Sequence, residues 1–262
     1  MPRRDEGRLP VVLETADALR RKVGDTTALY GLLCGPLTLA SHLRGVNLFM
    51  DLIKRPEYVA GLIEYTCNVA RQMAMFYAEE GVDVIAAVDP LVSQISHTHF
   101  RKYLSGPYSE FFGFLRRKGI LSSLFVCGDA SKNIEPMCET APDSISVDEN
   151  ISLPEAKEIT DRYNIAIGGN IPLTSVMLLG TQEDNMKSVV GLIDSVGHRN
   201  FVVAPGCDMT YDIPVENAIA AEQAVHNTAK VREIISSYTS AAADVHVELP
   251  DYSGLPRLLV EV

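Results

Sequence analysis

Short apolar runs alternate along the chain with longer stretches in which apolar residues recur every three or four positions. The runs are rich in Val, Ile, Leu and Phe, and Gly, Pro, Asp or Asn follows each of them. Short, nearly continuous apolar runs of this kind are typical of strands buried on both faces of a parallel sheet. The predicted strands cover residues 28–33, 82–88, 122–127, 144–147, 165–168 and 201–204.

The longer periodic stretches predict amphipathic helices between these strands. They cover residues 56–80, 98–118, 183–196 and 214–236, and Gly106 and Pro107 are expected to divide the second into two helices. Strands that alternate with helices form right-handed βαβ units. The sequence therefore predicts an α/β fold, either a barrel or a doubly wound sheet.

The pattern changes near the end of the chain. Strand-like runs at residues 245–249 and 258–262 flank a turn at residues 250–254. We therefore expect one domain over residues 1–237 and a C-terminal extension over residues 238–262.

Composition narrows the class of protein. The 262 residues fit one (β/α)8 barrel of about 250 residues. A net charge of −11 argues against a nucleic-acid binder, which normally carries a basic face. The chain has neither an apolar run long enough for a membrane helix nor an apolar segment behind its charged N-terminus. We expect a cytoplasmic protein without nucleic-acid or membrane partners. Five cysteines without a Cys-x-x-Cys pair indicate a reducing setting and mostly buried thiols.

Chemically active side chains follow several predicted strands. Because the carboxyl ends of parallel strands lie at one edge of a sheet, we expect these side chains to converge there. They are Asp89, Cys127, Asp148, Glu149, Asn170, Cys207 and Asp208.

Two cysteines, Cys127 and Cys207, lie at the ends of two strands. Two thiolates with a carboxylate or an imidazole are a plausible zinc site, with an open fourth position for water or substrate. Zinc holds a bound thiol as the nucleophilic thiolate near neutral pH. The other interpretation is that both cysteines are small buried hydrophobic residues. The pattern alone leaves both open.

The acidic residues at the strand ends also have two interpretations. Asp148 and Glu149 either supply a metal ligand or a general base, or belong to a solvated loop or the N-cap of the next helix. Asp89 either binds a polar substrate group or caps a turn, while Asn170 and Asp208 are expected to line the pocket. His97 and His99 are assigned to capping or surface roles, since residues two apart on a helix point to different sides.

Taken together in chain order, these motifs resemble the uroporphyrinogen decarboxylase superfamily, and more closely its corrinoid-dependent methyltransferase arm. The motifs are residues 35–40, 89–90, 127–128, 169–172 and 205–208, and Pro214, Glu216 and Asn217 follow the last of them. The resemblance covers residues 28–226. It implies a TIM barrel with its site at the carboxyl ends of the strands.

The resemblance also implies a reaction. In the methyltransferase arm, zinc is held by a His-x-Cys segment and by the cysteine of a Pro-Gly-Cys segment. The metal activates a thiol, which takes a methyl group from a corrinoid protein. Cys127 and Cys207 match the two cysteines, whereas Phe125 stands where the family has histidine. Glu149 or Asp148 falls where a carboxylate ligand is expected, so two thiolates and Glu149 are the implied ligand set.

The decarboxylase arm is the alternative. It works without a metal and grips its polycarboxylate substrate with N-terminal arginines, for which this chain has no matching segment. A third alternative is a barrel that binds a corrinoid protein without turnover. The Gly-Pro-x-Thr motif begins at Gly35, earlier than in the family, which predicts a barrel short of N-terminal βα elements. Unpaired strand edges in such a barrel favour a homodimer.

We therefore expect a TIM-type barrel that transfers a methyl group from a methylated corrinoid protein to a thiol or another small acceptor, with assistance from zinc. Cys127, Cys207, Asp148 and Glu149 are the predicted catalytic residues. The expected partner is a corrinoid protein.

Overall fold

Six parallel strands form one sheet in which each strand pairs with the next along the chain. The computed structural model describes residues 1–243, of which residues 238–243 by their backbone alone. The strands are β1 Tyr30–Cys34, β2 Val84–Val88, β3 Leu121–Val126, β4 Ser144–Val147, β5 Ala166–Ile171 and β6 Phe201–Pro205. Each lies within a few residues of its predicted position, because a short apolar run bounded by Gly, Pro or Asp marks a buried strand clearly.

Helices connect the strands and pack along the sheet. The helices before β3 are α1 Leu9–Val23, α2 Pro36–Arg44, α3 Asn47–Lys54, α4 Pro56–Glu79, α5 His97–Tyr103 and α6 Ser105–Arg117. The later helices are α7 Ile134–Glu139, α8 Leu153–Arg162, α9 Gln182–Val196, α10 Val215–His226 and α11 Thr228–Ala243. Ser96 caps α5 by accepting a hydrogen bond from the His99 N–H at 3.2 Å, in keeping with a helix start at the two histidines.

Two helix boundaries differ from the sequence prediction. The break between α5 and α6 falls at Leu104, and Pro107 lies in the first turn of α6. Proline is tolerated there because the first-turn N–H groups have no partner within the helix. The predicted helix over residues 214–236 is in fact two helices, α10 and α11, because Asn227 leaves the helical conformation.

The sheet is a partial TIM-type barrel. Sequential parallel pairing with helical connections is the order of a (β/α)8 barrel, and β1 and β6 do not pair with each other in the described part of the chain. The expected barrel with elements missing is thus confirmed. Helix α11 crosses the predicted domain boundary at residue 237. That boundary remains a prediction. Residues 244–262 of the predicted extension lie outside the described residues. Among described residues, no helix is long and apolar enough to span a membrane.

The two faces of the sheet differ in exposure. On β1, Gly31 and Leu33 are buried, and a Cβ at Gly31 would meet the ring of Tyr77 on α4. The alternate residues Tyr30 and Leu32 are about half exposed, at 49% and 50%. One face therefore packs against helices, while the inner face at this edge remains open.

The carboxyl ends of β1 and β2 are joined by a buried carboxylate. Asp89 accepts hydrogen bonds from the backbone N–H groups of Leu37 at 3.1 Å and Thr38 at 2.8 Å. It also accepts from the hydroxyl of Thr38 at 2.6 Å and from that of Tyr108 at 2.7 Å. Gly35 allows this approach, since a Cβ there would lie 2.3 Å from the Asp89 Cβ. These hydrogen bonds hold the start of α2 against the end of β2.

Asp89 does not line an open pocket, in contrast to the predicted substrate-binding role. The residue is fully buried, and four donors occupy its two oxygens. Burial raises the pKa of this carboxyl group above its ordinary value, and the hydrogen bonds from Thr38, Tyr108 and Leu37 oppose that shift. These hydrogen bonds agree with the other interpretation considered above, a cap for the turn that begins α2, and the substrate-binding role stays a prediction.

We expect Tyr108→Phe to lower the free energy of unfolding by about 2 kcal/mol at pH 7, because a buried carboxylate loses a donor. A raised native pKa means that the stability contributed by Asp89 at low pH is lost as the pH rises through that pKa. Loss of the Tyr108 donor raises this pKa further, so the cost should be larger at pH 7 than at pH 4. Urea unfolding at both pH values measures it.

Tyr103→Phe is the matched control, since the Tyr103 hydroxyl donates to the uncharged Leu52 carbonyl at 2.6 Å. We expect a cost of about 1 kcal/mol at both pH values. An equal pH dependence in the two variants would contradict the assignment of charge to Asp89.

Candidate functional site

Cys127 and Cys207 meet at the carboxyl ends of the strands. Cys127 directly follows β3, and Cys207 lies two residues beyond β6. Their sulfur atoms are joined as a disulfide, with the two Cα atoms 6.0 Å apart and a sequence separation of 80. Both residues are half-buried. The predicted convergence is present, but the sulfurs are bonded to each other and are not a pair of thiolates.

The other cysteines are free thiols. Cys67 and Cys138 are buried, as expected, and burial raises the pKa of each thiol to about 12. Cys34, at the end of β1, is exposed as a residue. Its sulfur is nevertheless partly buried. This burial raises the pKa of the Cys34 thiol to about 11, and the nearby Asp89 carboxylate acts in the same direction. None of the three is a ready nucleophile at neutral pH, because the thiolate is the reactive form.

Asp148 supports the loop that carries Cys127. One of its carboxylate oxygens accepts a hydrogen bond from the Gly128 N–H at 2.8 Å. The other accepts from the Asn150 N–H at 2.9 Å and from the Asn150 side-chain amide. Gly128 has φ +80°, a conformation that favours glycine. With only 8% of Asp148 exposed, its carboxylate acts on backbone groups in this structure.

Glu149 lies on the opposite side of the same loop. Its carboxylate accepts a hydrogen bond from the Leu173 N–H, although the residue is exposed. The backbone of Glu149 packs against Gly206, where an added Cβ would lie 2.8 Å from the Glu149 nitrogen. The loop therefore contacts the residue that precedes Cys207.

The two remaining predicted pocket residues differ in position. Asn170, on β5, is buried, and its amide donates to the carbonyl oxygens of Asp148 at 3.0 Å and Ile151 at 2.9 Å. It holds the loop after β4 and does not face an open pocket. Asp208 is exposed directly after Cys207. Beside it, Pro205 and Met209 line an apolar cleft of about 330 Å³ between β6 and α10.

The predicted zinc ligand set is incomplete. Phe125 is in register with Val88 on β2 and Ser146 on β4, so the position that the family gives to histidine holds a ring without a donor atom. Among the described residues, no three His, Cys, Asp or Glu side chains are grouped so that they could hold a metal. A catalytic zinc site needs three protein ligands. Two sulfurs are suitable ligands, but no third donor accompanies them within residues 1–243.

Sequence reasoning missed the supporting residues of this site. Thr38, Tyr108 and Gly206 position its strand ends, but no role was predicted for any of them. Thr38 and Gly206 stand in the Gly-Pro-x-Thr and Pro-Gly-Cys segments, whereas Tyr108 lies in no motif.

Comparison with known proteins identifies the family. A sequence model described as uroporphyrinogen decarboxylase (URO-D) matches residues 1–228. The chain belongs to the uroporphyrinogen decarboxylase family. This agrees with the resemblance inferred from the motifs.

Methyltransferases are among the similar members of the family. The chain is 28% identical over 218 residues to the methylcobamide:CoM methyltransferase MtbA of Methanosarcina acetivorans, and the match covers 81% of this chain and 62% of that protein. It is 32% identical over 219 residues to the methylcobamide:CoM methyltransferase MtaA of Methanosarcina barkeri, covering 80% of this chain and 61% of the relative.

A solved structure supports the same relationship within the family. A methyltransferase from Methanosarcina mazei superposes with a TM-score of 0.78 and 27% identity, covering 84% of this chain and 65% of that one. The chain thus spans less than two thirds of the length of each of these relatives.

We expect the disulfide to raise the free energy of unfolding by a measurable amount. Because it closes a loop of 80 residues, we expect Cys127→Ser to lower the free energy of unfolding by about 4 kcal/mol in non-reducing urea. Dithiothreitol should lower the stability of the wild-type chain by a similar amount and leave the variant unchanged.

Cys138→Ala serves as the control, because Cys138 is a buried thiol outside the pair. It should keep the full response to dithiothreitol. A wild-type chain whose stability does not change on reduction would contradict the link between the two strand ends.

Proposed function

We propose that the chain takes part in methyl transfer from a methylated corrinoid protein to a thiol or another small acceptor. The observation that carries the proposal is the meeting of Cys127 and Cys207 at the carboxyl ends of the strands in a member of this family. The relatives named as methylcobamide:CoM methyltransferases support it. A methylated corrinoid and a thiol are the reactants that those names describe.

The end of β6, close to Cys207 in sequence, offers a place for a small acceptor. The apolar cleft beside Pro205 and Met209 offers space for a short aliphatic group. Asp208 is an exposed carboxylate directly after Cys207, and we assign it the role of meeting the polar end of the acceptor. A thiol acceptor must lose its proton before its sulfur can form the new S–CH3 bond.

Zinc assistance is the less supported part of the expectation. It would need Cys127, Cys207 and Glu149 as ligands, whereas the Glu149 carboxylate is held by the Leu173 N–H. We therefore derive no step through a metal.

Methyl transfer can be tested directly with the full chain under reducing conditions. Methylcobalamin and coenzyme M serve as donor and acceptor, and the loss of the methylcobalamin absorbance gives the rate. Because the proposal places the reaction at the two cysteine sulfurs, we expect Cys207→Ser to lower this rate by more than about tenfold. Cys138→Ala should change it by less than about twofold. Failure of the wild-type chain to demethylate either free methylcobalamin or a methylated corrinoid protein would refute the proposal.

The same variants separate the alternatives. Decarboxylation of a porphyrinogen that survives both Cys→Ser changes would favour the decarboxylase arm. Stable binding of a corrinoid protein without turnover would favour a non-catalytic barrel. Sedimentation at several concentrations tests the predicted homodimer.

Metal content tests the zinc component. We expect the reduced chain, purified without added metal, to retain less than about a tenth of an equivalent of zinc, because three protein ligands are required. One equivalent in the wild type, lost on Cys127→Ser and on Glu149→Gln, would instead establish the three-ligand set. Cys138→Ala is again the control.

A further inference from the structure

The loop between β4 and α8, residues 148–152, contacts the residue that follows Cys127 and the residue that precedes Cys207. On one side, the Asp148 carboxylate accepts from the N–H of Gly128, the residue after Cys127. On the other, Gly206, the residue before Cys207, packs so closely on Glu149 that a Cβ would overlap its nitrogen. One short loop therefore sets the positions of two strand ends that are 80 residues apart in sequence.

This loop is itself fixed by hydrogen bonds, two of them buried. The Asn170 amide donates to the carbonyl oxygens of Asp148 and Ile151, and the Glu149 carboxylate accepts from the Leu173 N–H. Asn170 and Asp148 are only 6% and 8% exposed. The loop consequently holds the two cysteines in a fixed relation, which favours reaction of one sulfur with the other.

Thiol–disulfide exchange also requires that the disulfide is not sealed inside the protein. Cys127 and Cys207 are both half-buried, so neither residue is sealed off from solvent. The Cα separation of 6.0 Å lies within the ordinary range for a disulfide. No described group of side chains supplies the further ligands that would commit the sulfurs to a metal.

We propose that Cys127 and Cys207 form a reversible dithiol–disulfide couple whose equilibrium is set by Asp148 and Gly206. Reduction by a small-molecule thiol breaks the S–S bond and forms two cysteine S–H groups. Two molecules of the reductant lose their thiol hydrogens and form one new disulfide, so atoms and electrons balance. In the disulfide form neither sulfur is free as a ligand or nucleophile, and in the dithiol form both are.

The couple does not depend on methyl transfer, and its test uses no activity. The full chain is equilibrated with mixtures of reduced and oxidised glutathione, quenched and alkylated, and the labelling of Cys127 and Cys207 is measured by peptide mass spectrometry. We expect both cysteines to become protected together as the proportion of oxidised glutathione rises. Cys67 and Cys138 should not change with the glutathione ratio.

Asp148→Ala tests the positioning role. Loss of the acceptor for Gly128 should lower the equilibrium constant for formation of the pair by about tenfold, since hydrogen bonds to charged groups are among the stronger ones. The matched control is Asp143→Ala. Asp143 accepts hydrogen bonds from the Ser122 N–H at 2.8 Å and its hydroxyl at 2.6 Å, at the opposite ends of β3 and β4. It should change the constant by less than about threefold.

Gly206→Ala is the second positioning variant, and far-UV circular dichroism and a thermal melt establish that each variant is folded. It should lower the constant in the same direction, because the added methyl group displaces Cys207 from the loop. Equal effects of Asp148→Ala and Asp143→Ala would overturn the positioning role. Full alkylation of both cysteines in the wild-type chain at every glutathione ratio would overturn the couple itself, whatever the methyl-transfer assay gives.

Discussion

Backbone N–H groups at the carboxyl ends of parallel strands need acceptors where strand pairing stops, and side-chain carboxylates supply them here. Asp89 accepts from Leu37 and Thr38, which joins β1 to β2. Asp148 accepts from Gly128, which joins β3 to β4. Leaving such buried donors unpaired would cost more free energy than the paired bonds contribute. The shape of the sheet edge, and with it the meeting of Cys127 and Cys207, depends on these contacts.

The strands were predictable because burial on both faces removes ambiguity from the pattern. The run at residues 144–147 coincides with β4, and the run at residues 201–204 lacks only Pro205 of β6. Helix boundaries were harder to place. The sequence pattern predicts a break at Pro107, although a helix accepts proline in its first turn. Asn227 interrupts a region whose apolar spacing continues across it.

The candidate site was predictable in location but not in detail. Cys127 and Cys207 could be placed at one edge because each follows a strand, and parallel strands end together. The direction of each carboxylate could not be predicted. Asp89, Asp148 and Glu149 all turn toward backbone N–H groups of neighbouring loops. The direction that each carboxylate takes depends on N–H donors that are distant from it in sequence.

The carboxylates at both ends of the β3–β4 pair have a consequence for strand alignment. Asp143 holds Ser122 before the pairing begins, and Asp148 holds Gly128 after it ends. A slip of one residue would move every side chain of β3 to the opposite face of the sheet. It would also separate both carboxylates from their donors at the same time. The two aspartates therefore favour the correct register together. A misregistered pairing loses the hydrogen bonds of both carboxylates at once, which discriminates against it during folding.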